Sequence, residues 1–576
     1  MIDWAGAGAG ALWITGLALW LAALSHARWL ASRRRVSFTA VLRAPGVQSA
    51  CDSGLALFCA GLSLTTRTPW QRIAWVALAL LYAGLALRER RHGILAATAA
   101  TCIAEPAAAT DTGNRPRALV ALSAFLHQVE LWYVLAAVPF LVLSTSTPYS
   151  GWAAAAVLFV WALRLALNGR LCRRTPVDWP LWCLLATLPV TRWITADPAL
   201  TQAALYRLLA GVAVFFAVVN WAVSAQRLSL VATVLVLGGM GLVVIAPLAN
   251  TSWSNTKLFN AVPILDRLPK VARPLIGEDI NSNVLGAGLM LVCPVVFGML
   301  PGWATGGGLR AAVQRLAMAA SLLLMGAVLV LTQSRAALLG LAVGLAAMAL
   351  LRWRRARYWA VLALLALVSW LWQGGGPRLQ MLADAISSTG TISSLAGRQE
   401  VWSRAIYMIQ DFPFTGIGLG MFDRVQPLLY PFFLLGGLAH HAHNLFLQAA
   451  VDLGLPGLIG YLALVLGALY ATWQAYRACA RPEGPSGNNA AAPSSAQRGL
   501  AGLALGLLGS QIAWMAHGLF AAGIWASKIA FIPWFILGAS MALVRVVSSQ
   551  SAAAGGESAA SAAQPFPSVP PSRVLS

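Results

Sequence analysis

The sequence predicts an all-α, polytopic integral membrane protein with roughly 12–15 transmembrane helices. Three observations carry that prediction. Of 576 residues, 59% are apolar and only 10% are charged, whereas a soluble chain carries ~25% charged residues. Mean hydropathy is +0.72. Apolar stretches recur along the chain, many near the ~20 residues a helix needs to cross a hydrocarbon core of ~30 Å. Soluble enzymes, nucleic-acid binders and secreted disulfide scaffolds do not have this composition.

The candidate spans are 10–26, 53–65, 73–88, 119–145, 151–168, 178–191, 203–223, 229–248, 284–300, 316–333, 336–351, 358–373, 443–474, 499–518 and 525–546. Those at 53–65 and 178–191 are short, and 94–105 is weaker still. The opening MIDWAGAGAG has no basic n-region, so the first apolar stretch reads as a retained span rather than a cleaved signal. The seven Cys are scattered, without metal-ligand spacing, and read as small apolar fillers. Trp is abundant, with 24 residues, as expected of side chains that anchor at two membrane interfaces.

The chain holds 40 Lys and Arg against 18 Asp and Glu, a formal charge of +22. In a polytopic protein much of this is the positive-inside bias of cytoplasmic loops. Clusters at Arg33–Arg35, Arg88–Arg91, Arg170–Arg174, Arg310–Arg315, Arg352–Arg357 and Arg477–Arg498 all fall on one face if the spans alternate. The opposite face then receives 249–283, the tight turn at Arg335 and the long segment 374–442. The expected organisation is an N-terminal bundle at 1–248, an outer loop at 249–283, and spans at 284–373. A large outer loop at 374–442 and C-terminal spans at 443–546 follow, with a cytoplasmic linker at 478–498. A Ser/Ala/Pro-rich tail at 547–576 reads as disordered.

Residues that break the bland pattern collect on the outer face. In Thr332-Gln333-Ser334-Arg335 a lone Arg sits in a short hairpin between apolar helices. It is either a snorkelling anchor or a ligand-binding group. At Gly397-Arg398-Gln399-Glu400-Val401-Trp402, the spacing of Val401, Trp402, Ala405, Ile406 and Ile409 predicts an amphipathic helix over 398–411. Pro413 ends it, and Gly416, Gly418 and Gly420 read as a turn. A cation such as Arg398 at a helix N-terminus is mildly unfavourable alone and hints at an anionic ligand. Three of the seven His cluster at His440, His441 and His443, followed by Asn444. They fit a metal site, although the cluster holds no Asp, Glu or Cys; they also fit solvated loop residues, or a general base poised at the interface. Lys257, Arg267, Lys270 and Arg273, just before Asn281–Asn283, add cations to the same face. The simplest common explanation is a membrane-bound phosphate or pyrophosphate gripped by Arg, with a His nearby to remove a proton.

Taken in order, these residues resemble the O-antigen ligase/polymerase family of bacterial envelope enzymes. The resemblance rests on Thr332-Gln333-Ser334-Arg335, Gly397-Arg398-x-x-x-Trp402, Pro413…Gly416-x-Gly418, His443-Asn444-x-x-Leu447-Gln448 and Asp452-x-Gly454-x-x-Gly457-Leu458. Asn283-x-x-Gly286 looks like an upstream signature, and the likeness covers roughly 270–475. It implies a membrane glycosyltransferase of the bacterial inner membrane, acting in lipopolysaccharide or exopolysaccharide biosynthesis. Such an enzyme moves a glycan from undecaprenyl pyrophosphate to an acceptor hydroxyl on the periplasmic face.

The acceptor is lipid A–core in ligases, a growing glycan in polymerases and a protein Ser in the O-oligosaccharyltransferase branch. No cofactor, nucleotide sugar or metal is implied. By motif position Arg335 and Arg398 grip the pyrophosphate and His443 activates the acceptor; Asn283, Asn444, Lys270 and Arg273 are further candidate substrate-binding residues. Asp452 stands where Glu is frequent. A large soluble C-terminal domain, which many protein-directed members carry, does not follow the last span. The main rival class is a lipid-linked glycan transporter, for which repeated halves and paired ionisable groups at mid-membrane would be expected. The spans instead read as clean. A cell-wall polymerase of the shape–elongation–division type would be expected to use an external acidic residue.

Overall fold

The computed structural model describes residues 3–96, 117–143, 148–249, 268–273, 280–300, 308–370, 395–433, 439–480, 495–523, 525 and 527–562. Regular structure among these residues is entirely α-helical. In chain order the helices are α1 (Trp4–Arg34), α2 (Phe38–Leu42), α3 (Pro45–Thr65), α4 (Pro69–Ala96), α5 (Arg117–Leu143), α6 (Pro148–Asn168), α7 (Asp178–Ala186), α8 (Leu188–Ile194), α9 (Pro198–Trp221) and α10 (Ala225–Ala249). There follow α11 (Ser282–Met299), α12 (Leu309–Leu331), α13 (Arg335–Arg352), α14 (Arg354–Trp370), α15 (Leu395–Asp411), α16 (Phe422–Leu429), α17 (Leu445–Ala480), α18 (Ser495–Gly518) and α19 (Phe531–Ala562). Thirteen of them are long and apolar enough to cross a membrane. The protein is an all-α, multi-pass membrane protein.

Burial sorts the spans into two shells. Helices α9, α11, α17, α18 and α19 are mostly enclosed by others, whereas α4 and α12 turn most of their surface outward. Lipid is as apolar as a Leu side chain, so inner helices associate by close packing rather than by hydrophobic burial. Gly298 of α11 and Gly502 of α18 show this. A Cβ at Gly298 would lie 2.5 Å from the Gly502 carbonyl oxygen and 2.7 Å from the Gly506 nitrogen.

Several expectations are corrected. The stretch 178–191 is two short helices, α7 and α8, meeting at Thr187 with Pro189 just beyond. Together they run from the Trp221 end of α9 back to its Pro198 end. At one end the Arg173 N–H bonds to the Asn220 side chain, and at the other Thr195 bonds to Thr201. A mean hydropathy does not distinguish one helix from two in series. Span 53–65 is longer than expected: α3 begins at Pro45, and two serines of its polar first half are bonded within the bundle. Ser53 bonds back to the Ser49 carbonyl, and Ser49 donates to the Ala86 carbonyl of α4. Helix α14 covers Arg354–Trp370, and 371–373 lie outside the described residues. The last helix continues to Ala562, past the position where the tail was expected to start, consistent with the high helix propensity of its Ala-rich sequence. Nor are the spans clean. Glu130 of α5 and Arg164 of α6 form a buried ion pair, joined by Asn220 of α9.

The helix ends sort onto two faces. Arg33–Arg35, Arg88–Arg90, Arg170–Arg174, Arg310, Arg352–Arg357 and Arg477 lie at helix ends that share one face. On that face Tyr476 donates to the Leu351 carbonyl, and Arg173 meets Asn220. The other face gathers Trp4, the starts of α9, α11, α13 and α17, and helices α15 and α16. There the Trp4 and Trp402 rings meet edge-on at 6.4 Å, and the Thr201 hydroxyl donates to the Leu419 carbonyl.

Gly298→Val is expected to force α11 and α18 apart and cost about 1–3 kcal/mol, read as a lower Tm of the purified protein in detergent. Gly326→Val, at a position with nothing within 4 Å, should leave Tm unchanged; equal losses would show that close approach is not what holds these helices.

Candidate active site

Four helix N-termini converge on the face opposite the Arg-rich loops. The first is α11, whose N-cap Asn281 accepts from the Asn283 N–H at 2.8 Å. One turn on, Gly286 leaves room for the next piece of chain: a Cβ there would lie 2.9 Å from the Thr332 hydroxyl and 3.0 Å from Ser334. The Asn283-x-x-Gly286 motif is therefore the seat of the Thr332–Arg335 hairpin, and the Asn283 side chain stays exposed beside it. Within the hairpin Gln333 takes a left-handed conformation, φ 52°. Thr332 donates to the Leu329 carbonyl and accepts from the Ser334 N–H. Arg335 then opens α13, exposed, while the Ser334 hydroxyl is buried without a hydrogen-bond partner among the described residues.

The amphipathic helix forms as expected, beginning at Leu395. Val401, Ala405 and Met408 are fully buried, with Ile409 packed against the same small core. Glu400 is a structural residue: it accepts from the Phe433 N–H and pairs with Arg404 at 3.6 Å. Arg398, in the first turn, is half-buried, and its Nε has no hydrogen-bond partner among the described residues. Burial, and then the nearby charge of Arg335, lower its pKa.

His443 stands just before α17 in a left-handed conformation, φ 48°, with its ring edge-on to His441 at 4.2 Å. Its N–H donates to Nδ1 of His441. Burial pushes its pKa down to about 3, helped by His441, Arg398 and His440. The ring is therefore a neutral proton acceptor across the physiological range. Among the described residues no three His, Cys, Asp or Glu converge as metal ligands: His440 turns toward Asp423, 3.9 Å away, while His441 and His443 meet edge-on.

What holds His443 in place is the remainder of its motif. Asn444 Oδ1 accepts from the Phe446 and Leu447 N–H groups, capping α17, and its Nδ2 donates to the Leu519 carbonyl. Asn444, expected to bind substrate, thus also has structural partners for its Oδ1 and its Nδ2. Gln448 accepts from the Ala442 N–H and donates to Asp452. The buried Asp452 carboxylate also accepts from the Trp525 indole and from the Gly420 N–H. Two residues on, Gly454 breaks α17 with φ 70°. The Pro413–Gly420 turn docks on that break. The Ile417 N–H donates to the Val451 carbonyl, and the Leu455 N–H donates to the Pro413 carbonyl. Gly416, φ 67°, is required twice over, since a Cβ there would lie 2.5 Å from Val451 O.

Arg398 thus lies within charge reach of Arg335 on one side and of His443 on the other. Lys270 and Arg273 lie at the Ala249 end of α10, where Lys270 donates to the Pro247 carbonyl and the Ala272 N–H to the Leu248 carbonyl. Lys257 and Arg267 lie outside the described residues. Sequence reasoning missed Trp525 and Thr191. The buried Thr191 hydroxyl of α8 accepts from the Leu419 N–H at 2.6 Å and donates to the Asp452 carbonyl oxygen at 3.4 Å. Nothing in the local sequence of α8 signals this bridge.

No curated protein matches the chain. Residues 320–462, which hold Arg335, Arg398, His443 and Asp452 but not Asn283, Lys270 or Arg273, match the family model described as O-antigen ligase. Through that stretch the chain is similar to the O-antigen ligase family.

Proposed function

We propose that the protein is a glycosyltransferase that moves a glycan from undecaprenyl pyrophosphate to an acceptor hydroxyl at the periplasmic face of the bacterial inner membrane. The observation that carries this reading is Arg398: buried at its Nε, without a hydrogen-bond partner there, and within charge reach of both Arg335 and His443. A buried donor left unsatisfied needs an explanation, and here a diphosphate provides one. The periplasmic assignment is supported by the segregation of helix ends, since the Arg-rich loops mark the cytoplasmic side and the candidate site lies on the other.

In the proposed step His443 accepts the proton of the acceptor hydroxyl while its oxygen bonds to the anomeric carbon. The bond from that carbon to the phosphate oxygen breaks, and undecaprenyl pyrophosphate leaves with the electron pair. Attack from the face opposite the leaving group inverts the anomeric centre. Arg335 and Arg398, aided by the helix N-termini, stabilise the charge growing on the leaving oxygen. Asn283 lies where it can bind the sugar or phosphate beside the Arg335 hairpin, and Lys270 and Arg273 extend the cationic rim. Proton removal by His typically contributes ~10²–10⁴-fold, and loss of one well-placed charge-stabilising donor costs ~10²–10³ in kcat.

His443→Ala is expected to lower turnover by about 10²–10⁴-fold with donor binding nearly intact, whereas Arg335→Ala and Arg398→Ala weaken donor binding as well. Full activity of His443→Ala in a purified transfer assay would remove it as the base. Turnover should persist in EDTA; strict dependence on an added divalent ion would sink the Arg-based account. Lipid A–core, free glycan and peptide acceptors offered in the same assay separate ligase, polymerase and protein-directed activity.

The pH profile offers a second check. A base works in its neutral form, so activity is lost as pH falls through its pKa. With His443 held near 3 in the free protein, kcat/KM should stay level as pH drops through the ordinary histidine value of ~6.5. The acid limb of kcat, which reports the bound complex, should lie higher, because the bound diphosphate offsets the charge of Arg398. A kcat/KM limb near the ordinary value that disappears in His443→Ala would contradict this environment.

A further inference from the structure

On the Arg-rich face, away from the candidate active site, charged groups gather between helix ends: Arg164 is buried, Arg33, Arg173 and Arg545 are half-buried, and Arg170 is exposed. Arg545 comes from α19, Arg164 from α6, and Arg170 and Arg173 from the segment after α6, with Arg33 at the end of α1. Arg545 is within charge reach of Arg173, Arg170 and Arg33, and Arg173 of Arg164 and Arg170. Two carboxylates stand nearby, Asp178 within charge reach of Arg545 and Glu130 within reach of Arg173, fewer than the five arginines around them. Glu130 pairs with Arg164 and accepts from Asn220 at 3.0 Å. Asp178 accepts from the N–H and hydroxyl of Thr175. Arg173 is fixed by its N–H on Asn220 and by a guanidinium contact with His127 at 3.4 Å. Arg545 Nη1 is buried without a hydrogen-bond partner among the described residues.

Loop arginines placed by topology alone spread into the headgroup region, where water and lipid screen them. Guanidinium groups partly enclosed by helix ends are screened less, and a buried donor such as Arg545 Nη1 is costly to leave without a partner. A cluster of like charges between helix ends therefore calls for a counter-anion from outside the chain, and basic pockets between transmembrane helices on the cytoplasmic side are a known form of headgroup site. We propose that Arg33, Arg170, Arg173 and Arg545 form a binding site for a phosphate group at the face opposite the candidate active site, supplied by an anionic phospholipid or by a soluble phosphate. Guanidinium forks suit phosphate oxygens, and the groups come from α1, the α6–α7 segment and α19. An occupant would therefore tie the N-terminal bundle to the last span.

The test uses the full chain in neutral detergent, followed by thermal unfolding and native mass spectrometry. The probes are dioleoyl phosphatidylglycerol, dioleoyl phosphatidylcholine and inorganic phosphate. Phosphatidylglycerol, inorganic phosphate or both should raise Tm and remain bound in preference to phosphatidylcholine; which of them does so identifies the source. Arg170→Gln, at an exposed position where folding is not at risk, and Arg545→Gln should each weaken the effect about fivefold. Arg355→Gln, on the same face outside the cluster, should not. Absence of stabilisation by either anion, or an equal loss in Arg355→Gln, would overturn the site.

Discussion

The buried carboxylate of Asp452 ties separate pieces of the chain to one point. It accepts from Gln448 in its own helix, from the Trp525 indole between α18 and α19, and from the Gly420 N–H at the end of the glycine turn. Gln448 passes the constraint on by holding the Ala442 N–H, one residue before His443. A buried polar group that loses a hydrogen-bond partner carries the full cost of its desolvation, so a carboxyl group enclosed by helices needs all of its donors. Losing any of them leaves a buried oxygen unsatisfied, so the backbone around His443 has little freedom to relax. The left-handed conformation of His443 is uncommon for a residue with a side chain, and such a conformation persists where its surroundings over-determine it.

The same point explains why α17 is broken. An unbroken helix would carry its own hydrogen bonds past Gly454 and offer nothing to the turn over Pro413–Gly420. The break frees the Val451 carbonyl and the Leu455 N–H, and the turn takes both. Thr191 then joins the turn to the other side of the break. The short helix carrying it belongs to the N-terminal half of the chain, outside the family match. That half accordingly shapes the site as well as enclosing it.

Much of this was legible in the sequence because the relevant signals are local. Apolar run length gave most spans, the positions of Arg clusters gave the two faces, and helical spacing gave α15 with its buried Val401 and Ala405. The glycines at 416, 418 and 420 read as a turn, and all three have positive φ. What was hidden depends on partners far away in the chain. The Thr191–Leu419 bond joins residues 228 positions apart. Glu130 and Arg164 each look like isolated charges within apolar stretches until α5 and α6 are set side by side. Asn444 is a different case. Beside a candidate base it reads as a substrate-binding residue, and its cap over Phe446 and Leu447 and its bond to Leu519 show only once the chain is folded.

Electrostatics is what links the two halves of the argument about Arg335, Arg398 and His443. Helix N-termini already carry positive partial charge, so placing two guanidinium groups among four of them is unfavourable unless an anion is expected. The strain is visible in Arg398, whose protonation is opposed by burial and by Arg335, and in His443, which is held neutral partly by Arg398. On the proposed reading both are relieved by the same event. A diphosphate entering between the arginines would supply the missing counter-charge, satisfy the buried Arg398 Nε, and let the His443 ring accept a proton more readily. Donor binding would then switch on the base, and an acceptor hydroxyl arriving at an empty site would meet an imidazole too weakly basic to activate it. That ordering would limit wasted proton transfer without any moving part, because the same cation that grips the donor also controls the base.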